Sequence, residues 1–305
     1  PSTGQRKAWP QQPLPAKEHM ANVRQIRRRI RSVENTAKIT KAMSMIAASK
    51  MRRAQEMALR GRPYSEQMRA LLADLAAQPH DEESLHPLMR RREIKNVEIV
   101  HITPDRGLTG GMNSNVNRAS AQFIVEQSAS ASVIAVGKKG RDFMVRYGRD
   151  VRAVFTDLGD RPTIADVTPI ARLVMDEYTQ GRVDAVYVAY AAFASTTVQR
   201  PVVLPLIPVV AAELRTQDAL GYIYEPDSLE VLSRLLPRFV EMELYHALLE
   251  SIASEQSARM VAMRNATDNA SEMVEDLTLM MNKARQEAIT NELLDIVGGA
   301  AAVEA

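Results

Sequence analysis

The sequence predicts a mixed chain (α+β or α/β) in which long N- and C-terminal helices pair as an antiparallel coiled coil, with a strand–helix domain between them. Three observations carry this expectation. Near both chain ends, apolar and small residues recur in alternating steps of four and three. In the middle, the pattern switches to short β-branched runs. The charge also divides: residues 22–69 hold 13 Lys/Arg against 3 Asp/Glu, residues 228–305 hold 6 against 13, and the whole chain nets only +2. Opposite charge blocks at opposite ends suggest helices that complement each other.

Composition narrows the function classes. Aromatics are 5% of 305 residues while Met numbers 16, a balance suited to closely packed helices rather than a broad sheet sandwich. With no Cys, disulfides, thiolate metal sites, Cys nucleophiles and thiol switches are excluded. No apolar run approaches the roughly 18–20 residues that a membrane span needs.

Residues 1–20 contain four prolines and no apolar period, and are expected to be a disordered extension. The first helix is expected over 21–78. Its seam is Ile26, Ile30, Val33, Ala37, Thr40, Ser44, Ala47, Met51, Ala54, Ala58 and Gly61, in one unbroken heptad register. The seam narrows from β-branched residues to Ala, Ser, Thr and Gly, which lets two backbones approach closely. Pro63 marks a kink or stop; the pattern resumes through Met68, Leu71, Leu72 and Leu75 and ends before Pro79. Beside the seam, Ile39, Met43 and Ile46 form a second apolar stripe that a helical partner leaves uncovered.

Residues 79–220 form the central domain. Runs at 97–102, 132–136 and 183–190 read as strands, and the first two lead into Gly-bearing turns and helical stretches. This alternation implies a partly parallel, Rossmann-like α/β domain. Residues 198–210, with three prolines, can only be an edge strand or a loop. The last helix is expected within 221–305, starting near Ser228, with Pro237 as a kink or second start. Its seam is read as Met263, Ala266, Ala270, Met273, Leu277, Met280 and Ala284, with Ile289, Leu293 and Ile296 carrying an apolar stripe onward. From residue 228 to 297 it would be on the order of 100 Å long at 1.5 Å per residue.

Candidate chemistry is sparse. The run DRGLTGG at 105–111 has the strand-to-helix context of a phosphate loop, but neither GxGxxG order nor a Gly-Lys-Ser/Thr ending. GKKG at 137–140 is likewise incomplete. Both read as structural turns, with a nucleotide-binding α/β enzyme as the rival. The five His are scattered, so no metal, cofactor or catalytic residue is expected. Arg24, Arg27, Arg28, Arg29 and Arg31 could bind nucleic acid, but residues 21–62 contain no aromatic for base stacking. A nucleic-acid-binding coiled coil therefore stands as a second rival, and no nucleic-acid partner is expected.

Three motifs carry a family resemblance. IRRRIRSVENT at 26–36, with KITKAM at 38–43 and AASKMRRAQ at 47–55, resembles the N-terminal helix of F-type ATP synthase gamma subunits. ARMVAM at 258–263, NATDN at 265–269, KARQ at 283–286, AIT at 288–290 and IVGGAA at 296–301 resemble that family's C-terminal signature. DRGL at 105–108, with Gly110-Gly111 and NSN at 113–115, agrees with its internal motif. The family commonly has Cys where Thr109 stands, and residues 195–216 lack the Cys-bearing insertion of the chloroplast form, which favours a bacterial origin.

The resemblance implies a non-catalytic rotor shaft that couples ion-driven rotation of a membrane ring of c subunits to ATP synthesis or hydrolysis in a head of alpha and beta subunits. Epsilon is a further implied partner. The implied location is peripheral on the cytoplasmic side of a bacterial inner membrane, reached only through the complex. By resemblance, Arg285, Gln286 and Thr290 would give polar contacts to a beta subunit, with Ile39, Met43 and Ile46 also facing the head. Tyr222, Tyr224 and Glu225 would meet the rotor ring.

Overall fold

The computed structural model describes residues 16–77, 86–209 and 227–303. Helix α1 (Ala16–Ala77) begins inside the stretch expected to be a disordered extension and continues through Pro63. Helix α5 (Ser228–Val303) likewise continues through Pro237. Neither proline stops its helix. After Pro63, Met68, Leu72 and Leu75 are buried in the main core, and this packing outweighs the lost backbone hydrogen bond.

Between them lie β1 (Asn96–Ile102), α2 (Met112–Glu126), β2 (Ser130–Val136), α3 (Lys138–Arg146), β3 (Asp150–Phe155), α4 (Ile164–Thr179), β4 (Ala185–Phe193) and β5 (Gln199–Ile207). The sheet order is β3-β2-β1-β4-β5. All neighbours are parallel except β4 and β5, which pair antiparallel. The three strands read from sequence are β1, β2 and β4, and the proline-bearing run is the edge strand β5. Pro201 and Pro205 share one parity against β4, opposite Ala191 and Tyr187. Both therefore fall on positions whose backbone faces away from the ladder, where no N–H is needed. The strand missed by the sequence reading is β3, an edge whose residues are nowhere fully buried.

One sheet face is covered by α2 and α3, which enclose Val97, Ile99, Val133, Ile124 and Met144. The opposite face, with Val100, Ile102, Ile134, Val186 and Val188, shares a core with Tyr178 of α4 and with Leu72, Leu236, Val240 and Leu244 of the long helices.

The chain divides into two compact units, Pro1–Ala42 with Arg264–Ala305, and Met43–Met263. In the first, Ile30 and Thr40 of α1 and Ala270, Leu277 and Ala284 of α5 are buried. The hydroxyls of Thr40 and Thr267 lie 2.7 Å apart. In the second, the Ser44 hydroxyl donates to the Met260 carbonyl at 3.2 Å, Ser65 Oγ lies 2.7 Å from His246 Nε2, and Arg69 clasps both oxygens of Glu243 at 2.7 Å.

All eleven predicted seam positions of α1 are buried or half-buried. On α5 the expectation needs correcting. Met263, Ala270, Leu277 and Ala284 are buried, but Met273 and Met280 are 47% and 58% exposed. Their neighbours Thr267, Val274, Met281 and Ala288 are half-buried instead. Apolar residues stand at 273 and 274 and again at 280 and 281, so spacing alone could not choose the phase. Arg24, Arg27, Arg28, Arg29 and Arg31 are exposed and make no ion pair among the described residues, whereas Arg69 of the same basic block pairs with Glu243 of α5.

Glu98 sits fully buried in β1, with Oε1 3.5 Å from the Ser132 hydroxyl and Oε2 unpartnered. Burial pushes its pKa up to about 7, against the pull of Arg152; both Arg152 and Arg182 are engaged by Glu177 at 2.7 Å. The folded state therefore favours the protonated acid. Its penalty is absent below the ordinary value of 4.5 and grows until pH passes about 7. Glu98→Gln should leave stability unchanged near pH 4 but raise it by roughly 2–3 kcal/mol at pH 8. Urea unfolding across that range checks this; an advantage independent of pH would refute the assignment.

Candidate functional site

The turn at 105–111 follows β1 and leads into α2, as a phosphate loop would, but its chemistry is inward. Asp105 Oδ1 accepts from the backbone N–H of Lys138 at the start of α3 at 3.0 Å, and Oδ2 accepts from that of Asp157 at 2.9 Å. At the N-terminus of α3, where the GKKG turn would receive an anion, the protein's own carboxylate already sits. The glycines answer to packing. A Cβ on Gly137, whose φ is +96°, would lie 1.8 Å from the Thr103 carbonyl oxygen, and one on Gly140 would lie 2.4 Å from the His101 ring. His101 is fully enclosed between Asn117 and Ser120, 2.9 Å from each, and burial lowers its pKa to about 4, so it is neutral at physiological pH. No group of three or more His, Asp or Glu among the described residues could hold a metal ion.

The remaining candidates lie on the long helices. Ile39 and Ile46 are 60% and 56% exposed and Met43 is half-buried. Arg285, Gln286 and Thr290 are exposed on α5. Around and beyond them, Ile289, Leu293, Leu294, Ile296 and Val297 are all at least 48% exposed. Tyr222, Tyr224 and Glu225 lie outside the described residues. Among those described, no helix is long and apolar enough to cross a membrane.

A constellation that the sequence reading missed surrounds one turn of α5. Gln256, Ser257, Ala258 and Arg259 are each at most 9% exposed. The Gln256 amide donates to Asp160 at 3.4 Å, and the other Asp160 oxygen takes Lys50 of α1 at 2.6 Å. The Ser257 hydroxyl donates to the Thr196 carbonyl at 2.5 Å. Ala258 packs with Met112, Val116 and Ala191. Arg259 donates to the Gly107 carbonyl at 3.2 Å and pairs with Glu255 at 2.7 Å, while burial pushes the Glu255 pKa upward. The only sequence signal was small and polar residues on a helix otherwise rich in Leu and Met.

Because both Asp105 oxygens accept from N–H groups, an amide cannot replace the carboxylate without turning its own NH2 toward a donor. Asp105→Asn should therefore lose nearly as much stability as Asp105→Ala, about 3 kcal/mol each. Thermal or urea unfolding of the two variants tests this; an Asn variant at wild-type stability would refute the dual-acceptor role.

The family described as ATP synthase matches residues 22–303. The ATP synthase gamma chain of Dehalococcoides mccartyi (strain BAV1) is 60% identical over 284 residues, spanning 93% of this chain and 100% of that one. That of Herpetosiphon aurantiacus is 48% identical over 293 residues, spanning 93% and 99%. A cryo-EM structure of the central stalk and c-ring of Tetrahymena thermophila mitochondrial ATP synthase matches at 26% identity and a TM-score of 0.57, covering 75% of this chain and 99% of that one. A chain of the Euglena gracilis mitochondrial enzyme, in its OSCP, F1 and c-ring assembly, shares the fold at a TM-score of 0.65 and 21% identity, covering 93% and 95%. With two long terminal helices, a five-stranded sheet between them and relatives matched along nearly their whole length, the chain belongs to the ATP synthase gamma-chain family.

Proposed function

We propose that this chain is the turning shaft of a bacterial F-type ATP synthase, with α1 and α5 paired as an antiparallel coiled coil inside a head of alpha and beta subunits. A gamma chain is a coupling subunit, and ATP is made and cleaved on the beta subunits. The organisation that fits is a first coiled-coil helix over 21–78, a central α/β domain over 79–220 and a second coiled-coil helix over 221–305. The observation that carries the reading is the row of exposed apolar side chains near the end of α5, from Ile289 to Val297. So much apolar surface in water calls for a partner, and the uncharged sequence at 296–303 suits rotation against an apolar sleeve because it offers no ion pair to fix one angle.

Within that sleeve, Arg285, Gln286 and Thr290 offer polar contacts to one beta subunit at a time, and Ile39, Met43 and Ile46 present a second apolar surface to the head. Tyr222, Tyr224 and Glu225 are assigned to the ring of c subunits, with epsilon as a further partner. The Tetrahymena match to a central stalk and c-ring supports this direction. The complex would hold the chain on the cytoplasmic side of the inner membrane.

Because the chain has no Cys, Gln286→Cys introduces a unique thiol. Oxidation to a facing Cys on beta in the assembled enzyme should abolish ATP turnover, and reduction should restore it. Unimpaired hydrolysis at full cross-linking would sink the contact at that position. Calorimetry of the isolated chain with ATP, ADP and NAD should show no binding tighter than about 1 mM; micromolar affinity would favour a nucleotide-dependent enzyme.

A further inference from the structure

In a sheet of order β3-β2-β1-β4-β5, the direction of winding reverses between β1 and β4, and the crevice beyond the strand ends there is where such folds take a ligand. In this chain that crevice holds a turn of α5. Gly107 belongs to the loop after β1, Thr196 to the turn after β4 and Ala191 to β4 itself, while Met112 and Val116 open α2. The loop after β3 adds Asp160, which also grips Lys50 of α1. Tyr245 of α5 donates to the Pro162 carbonyl of that loop at 3.2 Å.

Successive helix residues point about 100° apart, so Gln256, Ser257, Ala258 and Arg259 face the four quarters around the axis. Each quarter meets a different element: Asp160, the Thr196 carbonyl, the Met112–Val116–Ala191 cluster and the Gly107 carbonyl. An apolar contact alone resists rotation weakly, because dispersion and burial have no direction. Hydrogen bonds are angle-dependent, and three of them spread around one turn oppose twist of the helix in either sense.

We propose that this collar, centred on Gln256 and Ser257 and buttressed by Asp160 and Lys50, is the contact through which the α/β domain passes torque to the shaft helices. Gln256, Ser257 and Asp160 are then positioning residues of the coupling reaction, acting at a site of their own. The proposal rests on the shaft reading above.

The test uses the assembled complex in sealed vesicles and, for single molecules, with the head fixed and a bead on the ring. Gln256→Leu with Ser257→Ala removes two of the four grips and should lower the rotor's torsional stiffness about twofold. Protons pumped per ATP against an opposing gradient should fall, while ATP hydrolysis without a gradient stays at the wild-type rate. If the double variant does not assemble, Asp160→Ala with Lys50→Met cuts the collar from the loop side, removing both the acceptor for Gln256 and the Lys50 ion pair, and should give the same loss. Unchanged stiffness and pumping in whichever variant assembles overturns the collar. A wild-type complex whose bead does not turn with ATP overturns the shaft reading, and the collar's role with it.

Discussion

A single carboxylate fixes the loops at the C-terminal end of the sheet. Asp105 joins the loop after β1 to the start of α3 and to the loop after β3. The second of these segments is reinforced by Lys138, which reaches Asp157 at 2.8 Å. Without these ties, three strand ends would carry independent loops and unpaired backbone donors. With them, the loop after β3 is held where Asp160 and Pro162 meet the long helices. Asp105 thereby occupies the N-terminus of α3, while the crevice between β1 and β4 is filled by a turn of α5.

The two long helices gain their order very unequally along their length. Within Met43–Met263, Met68, Leu72 and Leu75 of α1 and the stretch from Leu232 to Ala253 of α5 share the main core with the sheet. Within Pro1–Ala42 and Arg264–Ala305, the buried side chains are few and mostly small, and the Thr40–Thr267 pair adds one hydrogen bond. Isolated helices of that kind are marginal in water, and the shaft reading accounts for their order by enclosure in the head.

Much of the fold was legible in the sequence for a physical reason. Strands β1, β2 and β4 are buried on both faces and so appear as largely apolar runs in which Val and Ile recur. Edge strand β3 alternates half-buried with exposed residues, including Arg152, and carries no such run. The α1 seam was readable because one residue per step suits a close approach. On α5 the adjacent apolar pairs Met273–Val274 and Met280–Met281 left two phases equally apolar. The candidate contact residues followed from resemblance and exposure. The collar was not legible, because Gln256 and Ser257 are ordinary helix-surface residues until the fold places Asp160 and Thr196 against them. Glu98 and His101 were equally opaque, since burial of a titratable group in a strand leaves no mark in local spacing.

The prolines of β5 have a consequence for the chain's life before assembly. A newly made copy exposes apolar helix surface and an open sheet edge, the combination from which ordered aggregates grow. Pro201 and Pro205 leave two gaps in the outer row of donors, so a second copy adding a strand there would forfeit hydrogen bonds at both positions. The same two residues that are silent in the folded sheet thus act as a barrier to self-templating while the subunit waits for its partners.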